Sequence, residues 1–386
     1  MHIAFLIHNL HCGGAERVTA LLAGGLGGRG YKISILTLAG AEKPFYKLPT
    51  EVEILPLDVH WGTDELMKTL LKNVTRLHAI RNALRHLQPD AFVGVMTECN
   101  VLAVLATRVL DRMPFPVIVN ERVHPALTDL RTLACTARVI TFPLADAVVT
   151  CSRGMAPWYR RWLPAGKVVP IQNPVVLDDR PADTDAEKLA GTISQQKWIL
   201  SMGRLADQKG YDLLLDAFSR IPDDTCENWK LGILGEGELR SQLERQIDEL
   251  DLAGEAQLLG RFRNPYPILC AGEMFVMSSR YEGFPNALTE AMACGLPPVS
   301  FDCPSGPGEI IRDGVDGFLV PPGDVEGLAS ALSRLMGDEK QRQRMAGKAP
   351  DVLERFGLET FLDRWEMLIR RVSGGTAVMS NDSSKF

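Results

Sequence analysis

Residues 197–218, KWILSMGRLADQKGYDLLLDAF, run from an apolar stretch through a charged, glycine-containing loop into a second apolar pattern. KWILSMG (197–203) reads as a buried strand, and the stretch from about Gly210 to Arg220 reads as a helix. A strand that feeds a helix through a short loop is the repeating unit of a parallel sheet covered on both faces. The unit recurs downstream, with strands predicted at KLGILGEG (230–237), AQLLG (256–260), MFVMSS (274–279) and PPVSFD (297–302). The helix after the first of these runs to about Leu250, and the helix after MFVMSS carries Glu290. From there to about Val372 the chain reads as helical and charged.

The same alternation occupies the first half. HIAFLIH (2–8), KISILTL (32–38), VEILPL (52–57), AFVGVM (91–96), PVIVNE (116–121) and AVVTCS (147–152) are predicted strands. Helical stretches near 64–87, 99–111, 126–140 and 153–163 separate the later ones. Between the two series, PIQNPVVLDDRPADTDAEKLAGTISQQ (170–196) is rich in Pro and Asp and reads as a linker or domain boundary. The expectation is two doubly wound domains in series, 1–172 and 173–357, with a cleft between them. A helix at about 358–372 is expected to pack back on the first domain, and the tail 373–386 reads as disordered.

A chain of 386 residues, 46% hydrophobic and 23% charged, is long enough for two cores. Its eight cysteines are scattered without C-x-x-C or Cys/His ligand spacing, as expected of small core residues in a reducing compartment. MHIAFLIHNL lacks a basic leader region and no apolar run approaches a membrane span, so a soluble cytoplasmic protein is the expectation. Charge is unevenly divided. Residues 1–172 hold 19 Lys+Arg against 13 Asp+Glu, giving +6, and the rest hold 23 against 35, giving −12. A basic half fits an anionic partner, a membrane surface or a phosphorylated substrate; drift in surface charge is the plainer explanation.

Ligands of open α/β sheets bind at the carboxyl ends of strands, so the loops after the strands are where chemistry is expected. HNLHCGGAE (8–16) is a glycine turn entering a helix; it is not G-x-G-x-x-G, and KISILTL lacks the acidic end that would hold a ribose. A dinucleotide site, and with it a dehydrogenase, is therefore disfavoured. Arg204 and Lys209 flank a loop where a fork and a point charge could clamp two phosphates. ILGEGELR (233–240) places Gly235 and Gly237 at another strand end, and CPSGPGEII (303–311) adds a further glycine-rich entry into a helix. In SSRYEGFPNALTEAMACG (278–295), Gly283 and Pro285 make a turn and a helix begins near Asn286, with its unpaired N–H groups and dipole suited to a pyrophosphate. Glu282 stands at the mouth of that turn and Glu290 one turn into the helix, placed for hydroxyls of a sugar and of a ribose. Spacing alone would equally allow both on a solvated face.

Taken together, these segments resemble the retaining GT-B-fold glycosyltransferases, glycosyltransferase family 4. The matching residues are GGAE (13–16), NP (173–174), GRLADQKGYDLLLDAF (203–218), ILGEGELR (233–240), LGRFRNPYPIL (259–269), SSRYEGFPNALTEAMACGLPPVSFDCPSGPGEII (278–311) and DGFLVPPGD (316–324). The resemblance spans nearly the whole chain and is most specific at the two glutamates of EGFPNALTE with Arg204 and Lys209. It implies a GT-B fold, two Rossmann-like parallel-sheet domains facing each other across a cleft. The implied reaction is transfer of a sugar, with retention, from a nucleoside diphosphate sugar, UDP being preferred over GDP, to a hydroxyl.

By the same resemblance Arg204 and Lys209 would hold the diphosphate, Glu290 the ribose, and Glu282 with the backbone of Gly283, Phe284, Pro285 and Asn286 would face the donor sugar. The loop 260–264, with Arg261, would frame the base, Gly235 would lie in the donor site, and Gly13 and Gly14 would let the N-terminal loop approach the diphosphate. Many members carry a His at the end of the strand that here reads PVIVNERVH. This chain has Glu121-Arg122 there and His124 slightly later, so His124 substitutes for it or Glu121 and Arg122 serve the acceptor. No catalytic metal or cofactor is expected, since Arg204 and Lys209 supply positive charge and Asp183-Thr184-Asp185 reads as a solvated part of the linker. The acceptor expected is a saccharide, lipid-linked or part of an envelope polysaccharide, and no nucleic acid is implied.

The helix 63–87, with Lys68, Lys72, Arg76, Arg81 and Arg85 beside an apolar stripe, and WYRRWLP (158–164) suit an anionic membrane surface, which would make the protein peripheral on the inner face of the cell membrane. The stripe would serve equally for packing on the sheet. A sugar-nucleotide 2-epimerase on the same scaffold and a non-catalytic sugar-nucleotide-binding subunit are the competing readings.

Overall fold

The computed structural model describes all residues except 12, 41–42, 60–65, 110–111, 126–132, 178–181, 227 and 375–386. The chain divides into two compact units, Met1–Pro174 together with the chain from Leu358, and Val175–Gly357. The predicted tail, from residue 375 on, and the first part of the predicted helix 126–140 lie outside the described residues.

In the first unit the strands are β1 (His2–Ile7), β2 (Lys32–Thr37), β3 (Val52–Pro56), β4 (Ala91–Val95), β5 (Val117–Glu121), β6 (Ala147–Thr150) and β7 (Val168–Pro170). They pair in parallel in the order β3-β2-β1-β4-β5-β6-β7. Chain direction across the sheet reverses between β1 and β4, and a doubly wound sheet opens a crevice at such a point. β1, β4, β5 and β6 are buried along their whole length, which is why they read as largely apolar runs, with polar residues only at their ends.

The helix Leu358–Val372 completes this core: Phe361, Leu362, Trp365, Leu368 and Ile369 pack with Ile3, Phe5, Val18 and Leu22. Gly25 permits the approach, because a Cβ there would stand 2.5 Å from Leu362. Arg29 binds Glu359, Asp363 and Glu366 of the same helix, and these carboxylates push its already high pKa higher.

In the second unit β8 (Lys197–Met202), β9 (Trp229–Leu234), β10 (Ala256–Gly260), β11 (Met274–Met277), β12 (Pro298–Phe301) and β13 (Phe318–Val320) are all parallel, in the order β10-β9-β8-β11-β12-β13. Here the reversal falls between β8 and β11. Ile199, Leu231, Ile233, Val276 and Val299 pack against Leu214, Leu215, Phe218, Leu328 and Leu332 from the covering helices.

Two sequence expectations change. Residues 170–196 are not one linker: β7 ends at Pro170, and Thr184–Ile193 is a helix burying Ala186 and Ile193. Asp183 is its N-cap, accepting the Ala186 N–H at 3.2 Å, and Thr184 and Asp185 are exposed in the first turn, so the Asp-Thr-Asp run is solvated as expected but opens a helix in place of a linker. The same carboxylate accepts the amides of Arg263 at 2.7 Å and Asn264 at 3.3 Å. The basic helix, Leu66–Leu87, also differs, because Arg76 and Arg81 are buried while Val74 is 60% exposed. Arg81 donates to the Ala106 carbonyl at 2.6 Å, and Ile80 and Leu84 fill the core beside it. Lys68, Lys72 and the start of the apolar stripe belong to side chains outside the described residues.

Candidate active site

The loops at the β8/β11 reversal bring the phosphate-type and carboxylate residues together. β8 ends at Met202 and β11 at Met277, so 203–210 and 278–286 both leave the carboxyl edge side by side. Gly210 turns with φ +60°, and a Cβ there would fall 2.2 Å from the Ser278 carbonyl. A Cβ at Gly235, after β9, would fall 1.8 Å from the Gly203 carbonyl. The floor of the site is therefore backbone packed on backbone, which only glycine allows.

On that floor Lys209 Nζ lies 2.6 Å from Glu282 Oε1, and Ser279 Oγ donates to the same oxygen at 2.8 Å. Glu282 is only 6% exposed, whereas the lysine side chain keeps 20%. Its cation thus neutralises a buried carboxylate while remaining open to a ligand. Ser305 Oγ donates to the carbonyls of Glu282 and Gly283 at 3.0 and 3.1 Å, fixing the turn. Gly283, Phe284 and Pro285 are buried, and Phe284 meets Phe356 edge-on at 5.3 Å. The helix Asn286–Ala293 then opens without a side-chain cap, leaving its first turn of N–H groups to backbone, solvent or a ligand. Glu290 is buried one turn further in.

Arg204 and Arg261 are placed differently. Arg204 leaves β8 into solvent, its side chain 68% exposed and 4.0 Å from Glu238. Arg261 is exposed on the loop after β10, near enough to Glu236 to help hold that carboxyl below its usual range, although Arg240 does most of this. The structure records no contact of either arginine with the Lys209–Glu282 pair.

In the first unit Gly13 and Gly14 follow β1 at its own reversal, Gly13 capping the helix Gly14–Gly28. A Cβ on Gly13 would stand 2.1 Å from Glu16 Oε2. Burial raises the Glu16 carboxyl, and the charges of His11 and Arg122 work against that rise. Met96, after β4, holds a left-handed φ of 73° at the other side of the reversal. His124 follows β5, and burial with the nearby Arg138 lowers its pKa.

Glu121 is not an acceptor ligand. Its side chain is fully engaged in the core by Asn100, Thr97, Tyr159 and Arg138 at 2.7, 3.0, 2.8 and 3.2 Å. Ser279, Glu16 and Asp183 were missed in sequence as site-shaping residues. Of the three, only Asp183 carried a local signal, an Asp three residues ahead of the amide it caps.

Two parallel doubly wound sheets, each with its own strand-order reversal, make up the GT-B fold. The chain belongs to the group 1 glycosyltransferases and is a glycosyltransferase. Residues 184–352 match the family "Glycosyl transferases group 1", and residues 13–174 match the "Glycosyl transferase 4-like domain". An α-1,4-N-acetyl-D-galactosaminyltransferase of Campylobacter jejuni, named for a diNAcBac-PP-undecaprenol saccharide, is 27% identical over 96% of this chain and 99% of its own. The amylovoran biosynthesis glycosyltransferase AmsD of Erwinia amylovora is 26% identical over 92% of this chain and 96% of its own. Among solved structures of the same fold, sucrose-phosphate synthase from Thermosynechococcus elongatus superposes with a TM-score of 0.81 at 18% identity, over 96% of this chain and 98% of its own. Anabaena HepE in complex with UDP and glucose gives 0.74 at 20% identity, over 96% and 100%. Among the described residues no helix is long and apolar enough to cross a membrane.

Proposed function

We propose that this glycosyltransferase moves a sugar from a UDP-sugar to a hydroxyl of a saccharide that is lipid-linked or part of an envelope polysaccharide, with retention at the anomeric carbon. The observation that carries this reading is the Lys209–Glu282 pair beside the uncapped helix Asn286–Ala293 at the β8/β11 reversal. UDP is supported by the complex of HepE, and the acceptor class by the undecaprenol-linked saccharide in the name of the Campylobacter relative.

In this reading Lys209 and Arg204 meet the diphosphate, and the first amides of the helix add the positive end of its dipole. Glu290 binds the ribose hydroxyls, and Glu282 with the 283–286 turn faces the sugar. The loop 260–264 frames the base, Gly13 and Gly14 leave the N-terminal loop room for the diphosphate and sugar, and His124 takes the place of the family histidine. The bond from the anomeric carbon to the β-phosphate oxygen breaks as the acceptor oxygen bonds to that carbon on the same face. The acceptor proton passes to the departing phosphate oxygen. Positioning and leaving-group stabilisation supply the rate, with the two cations in place of a catalytic metal.

Peripheral membrane contact belongs to the same proposal. Val139, Ile140 and Leu144 are 46, 71 and 45% exposed. Lys167, donating to the Pro143 carbonyl at 2.8 Å, and the exposed Arg160 supply positive charge along this part of the first unit.

The test incubates purified protein with a panel of UDP- and GDP-sugars and an undecaprenol-diphosphate-linked saccharide, in buffer with and without EDTA. The expected result is product from one UDP-sugar with its anomeric configuration retained by NMR, at a rate EDTA leaves unchanged. An inverted product, a strict GDP-sugar requirement, or conversion of the donor into another intact sugar nucleotide overturns the reading.

A further inference from the structure

Lys209 sits on a short turn outside the sheet. Asp207–Lys209 is a single 3-10 turn, joined to β8 only through the loop 203–206. What fixes it is a strip of bonds to the segment after β11. The Arg280 amide donates to the Gln208 carbonyl at 2.8 Å, Gln208 Nε2 to the Tyr281 carbonyl at 3.0 Å, and Ser278 Oγ to the Lys209 carbonyl at 3.0 Å.

Across this strip lies the Arg280 side chain. Its two terminal nitrogens reach the two oxygens of Asp212 at 2.8 and 2.6 Å, and one of them also donates to the Asp207 carbonyl at 2.8 Å. Asp212 stands in the first turn of the helix Tyr211–Phe218, which begins directly after the lysine turn. The fork thus grips the turn on both sides of Lys209, at Asp207 and at Asp212, from the segment that presents Glu282. A fork of this kind sets orientation as well as distance, which a single ammonium cannot.

We propose that Arg280 is a positioning residue for donor binding: its fork on Asp212 and Asp207 presets the Lys209 ammonium over the donor diphosphate. This rests on the donor-site reading above and adds to it a residue that touches no part of the donor. Pre-set donors of charge bind and stabilise a leaving group without reorganising when the ligand arrives. Loss of the fork lets the turn move, so donor affinity falls while the acceptor side is untouched.

The experiment compares wild type, Arg280→Gln, Arg280→Lys, Asp212→Asn and the Arg280→Gln/Asp212→Asn pair. UDP and GDP binding are measured by calorimetry, and KM for donor and acceptor separately with the responsive donor. Expected are a nucleotide Kd and donor KM raised about tenfold in Arg280→Gln and in Asp212→Asn, with acceptor KM unchanged. Arg280→Lys, which keeps charge and loses the fork, falls between, and the double variant is no worse than either single one. Unchanged nucleotide Kd in folded Arg280→Gln overturns the proposal, and so does full rescue by Lys or a purely additive double variant. Should Arg280→Gln fail to fold, Asp212→Asn and Arg280→Lys decide the matter. Wild type that binds neither UDP nor GDP overturns the donor-site reading itself, and this inference with it.

Discussion

Glu121 and Arg138 meet at 3.2 Å with both side chains buried, at the carboxyl end of β5 and on the helix Leu133–Thr141. Asn100, Thr97 and Tyr159 complete the carboxylate, and burial beside that charge pushes the Tyr159 hydroxyl well above its ordinary range. The guanidinium also lies over the Trp158 ring at 5.1 Å. One carboxylate therefore ties β5 to three covering segments. Removing one partner of such a pair strands the other charge, at a cost of about 3–5 kcal/mol. Arg138→Leu is expected to lower the stability of the first unit by that order, and Glu121→Gln by a comparable amount, because the amide keeps one acceptor oxygen but leaves the buried Arg138 charge without its carboxylate. Urea unfolding followed by tryptophan fluorescence reads this; an Arg138→Leu midpoint equal to wild type would contradict it.

Lys209 and Glu282 share one contact and carry different expected losses. Lys209→Ala removes the cation proposed to meet the diphosphate and takes from the buried Glu282 carboxylate its ion-pair partner, so nucleotide affinity and turnover are both expected to fall. Glu282→Ala is expected to cripple transfer, by about a hundredfold or more in kcat, with UDP affinity close to wild type. Arg204→Ala weakens both, without loss of stability, because its side chain stands in solvent. Calorimetry with UDP beside steady-state rates separates the three; equal activity in Glu282→Ala or Arg204→Ala would remove the role assigned to that residue.

The alternation of apolar runs was legible in the sequence because β1, β4, β5 and β6 are buried on both faces, so nearly all their positions are apolar, with polar residues only at the strand ends. β7 and β13, three residues each, were too short to register as runs. The Lys209 and Glu282 segments were legible as charged loops at strand ends and through motif resemblance, yet their 2.6 Å contact joins residues 73 positions apart and has no local signature. Arg280 escaped for the same reason. Its partners Asp207 and Asp212 lie across the strand-order reversal, and in sequence it reads as one more surface charge. Glu121 misled in the opposite direction, since a carboxylate at a strand end looks functional until the four groups that bind it are seen.

The Asp212 carboxyl is held below its usual range by the hydrogen bonds and charge of Arg280, against an opposing effect of burial. A depressed folded-state pKa means that this pair contributes stability above the ordinary carboxylate pKa, about 3.9, and that the contribution is lost as pH falls from there through the folded value. Wild type is therefore expected to lose stability on acidification below about pH 5 more steeply than Asp212→Asn, which has no proton to take up. Urea midpoints from pH 2 to 7 for the two proteins measure it. Parallel curves would show that Asp212 and Arg280 do not couple in solution.

Asp183 divides its two oxygens between two tasks. Oδ1 caps the helix Thr184–Ile193 through the Ala186 amide, and Oδ2 accepts the amides of Arg263 and Asn264 on the loop assigned to the base. Asn264 in turn accepts the Tyr266 amide through its side chain at 3.2 Å, and Tyr266 donates to the Val176 carbonyl at 2.9 Å, so the loop is anchored at both ends. An asparagine has one acceptor oxygen and a donor in place of the other. Asp183→Asn can keep the cap, for which Asn is as good a residue, but it turns an amide donor on the Arg263 N–H. Asp183→Ala loses both tasks. The expected pattern is a donor KM raised in both variants, with a stability loss of about 1 kcal/mol confined to Asp183→Ala. A donor KM unchanged in Asp183→Asn would mean that the 260–264 loop takes its bound shape without this carboxylate.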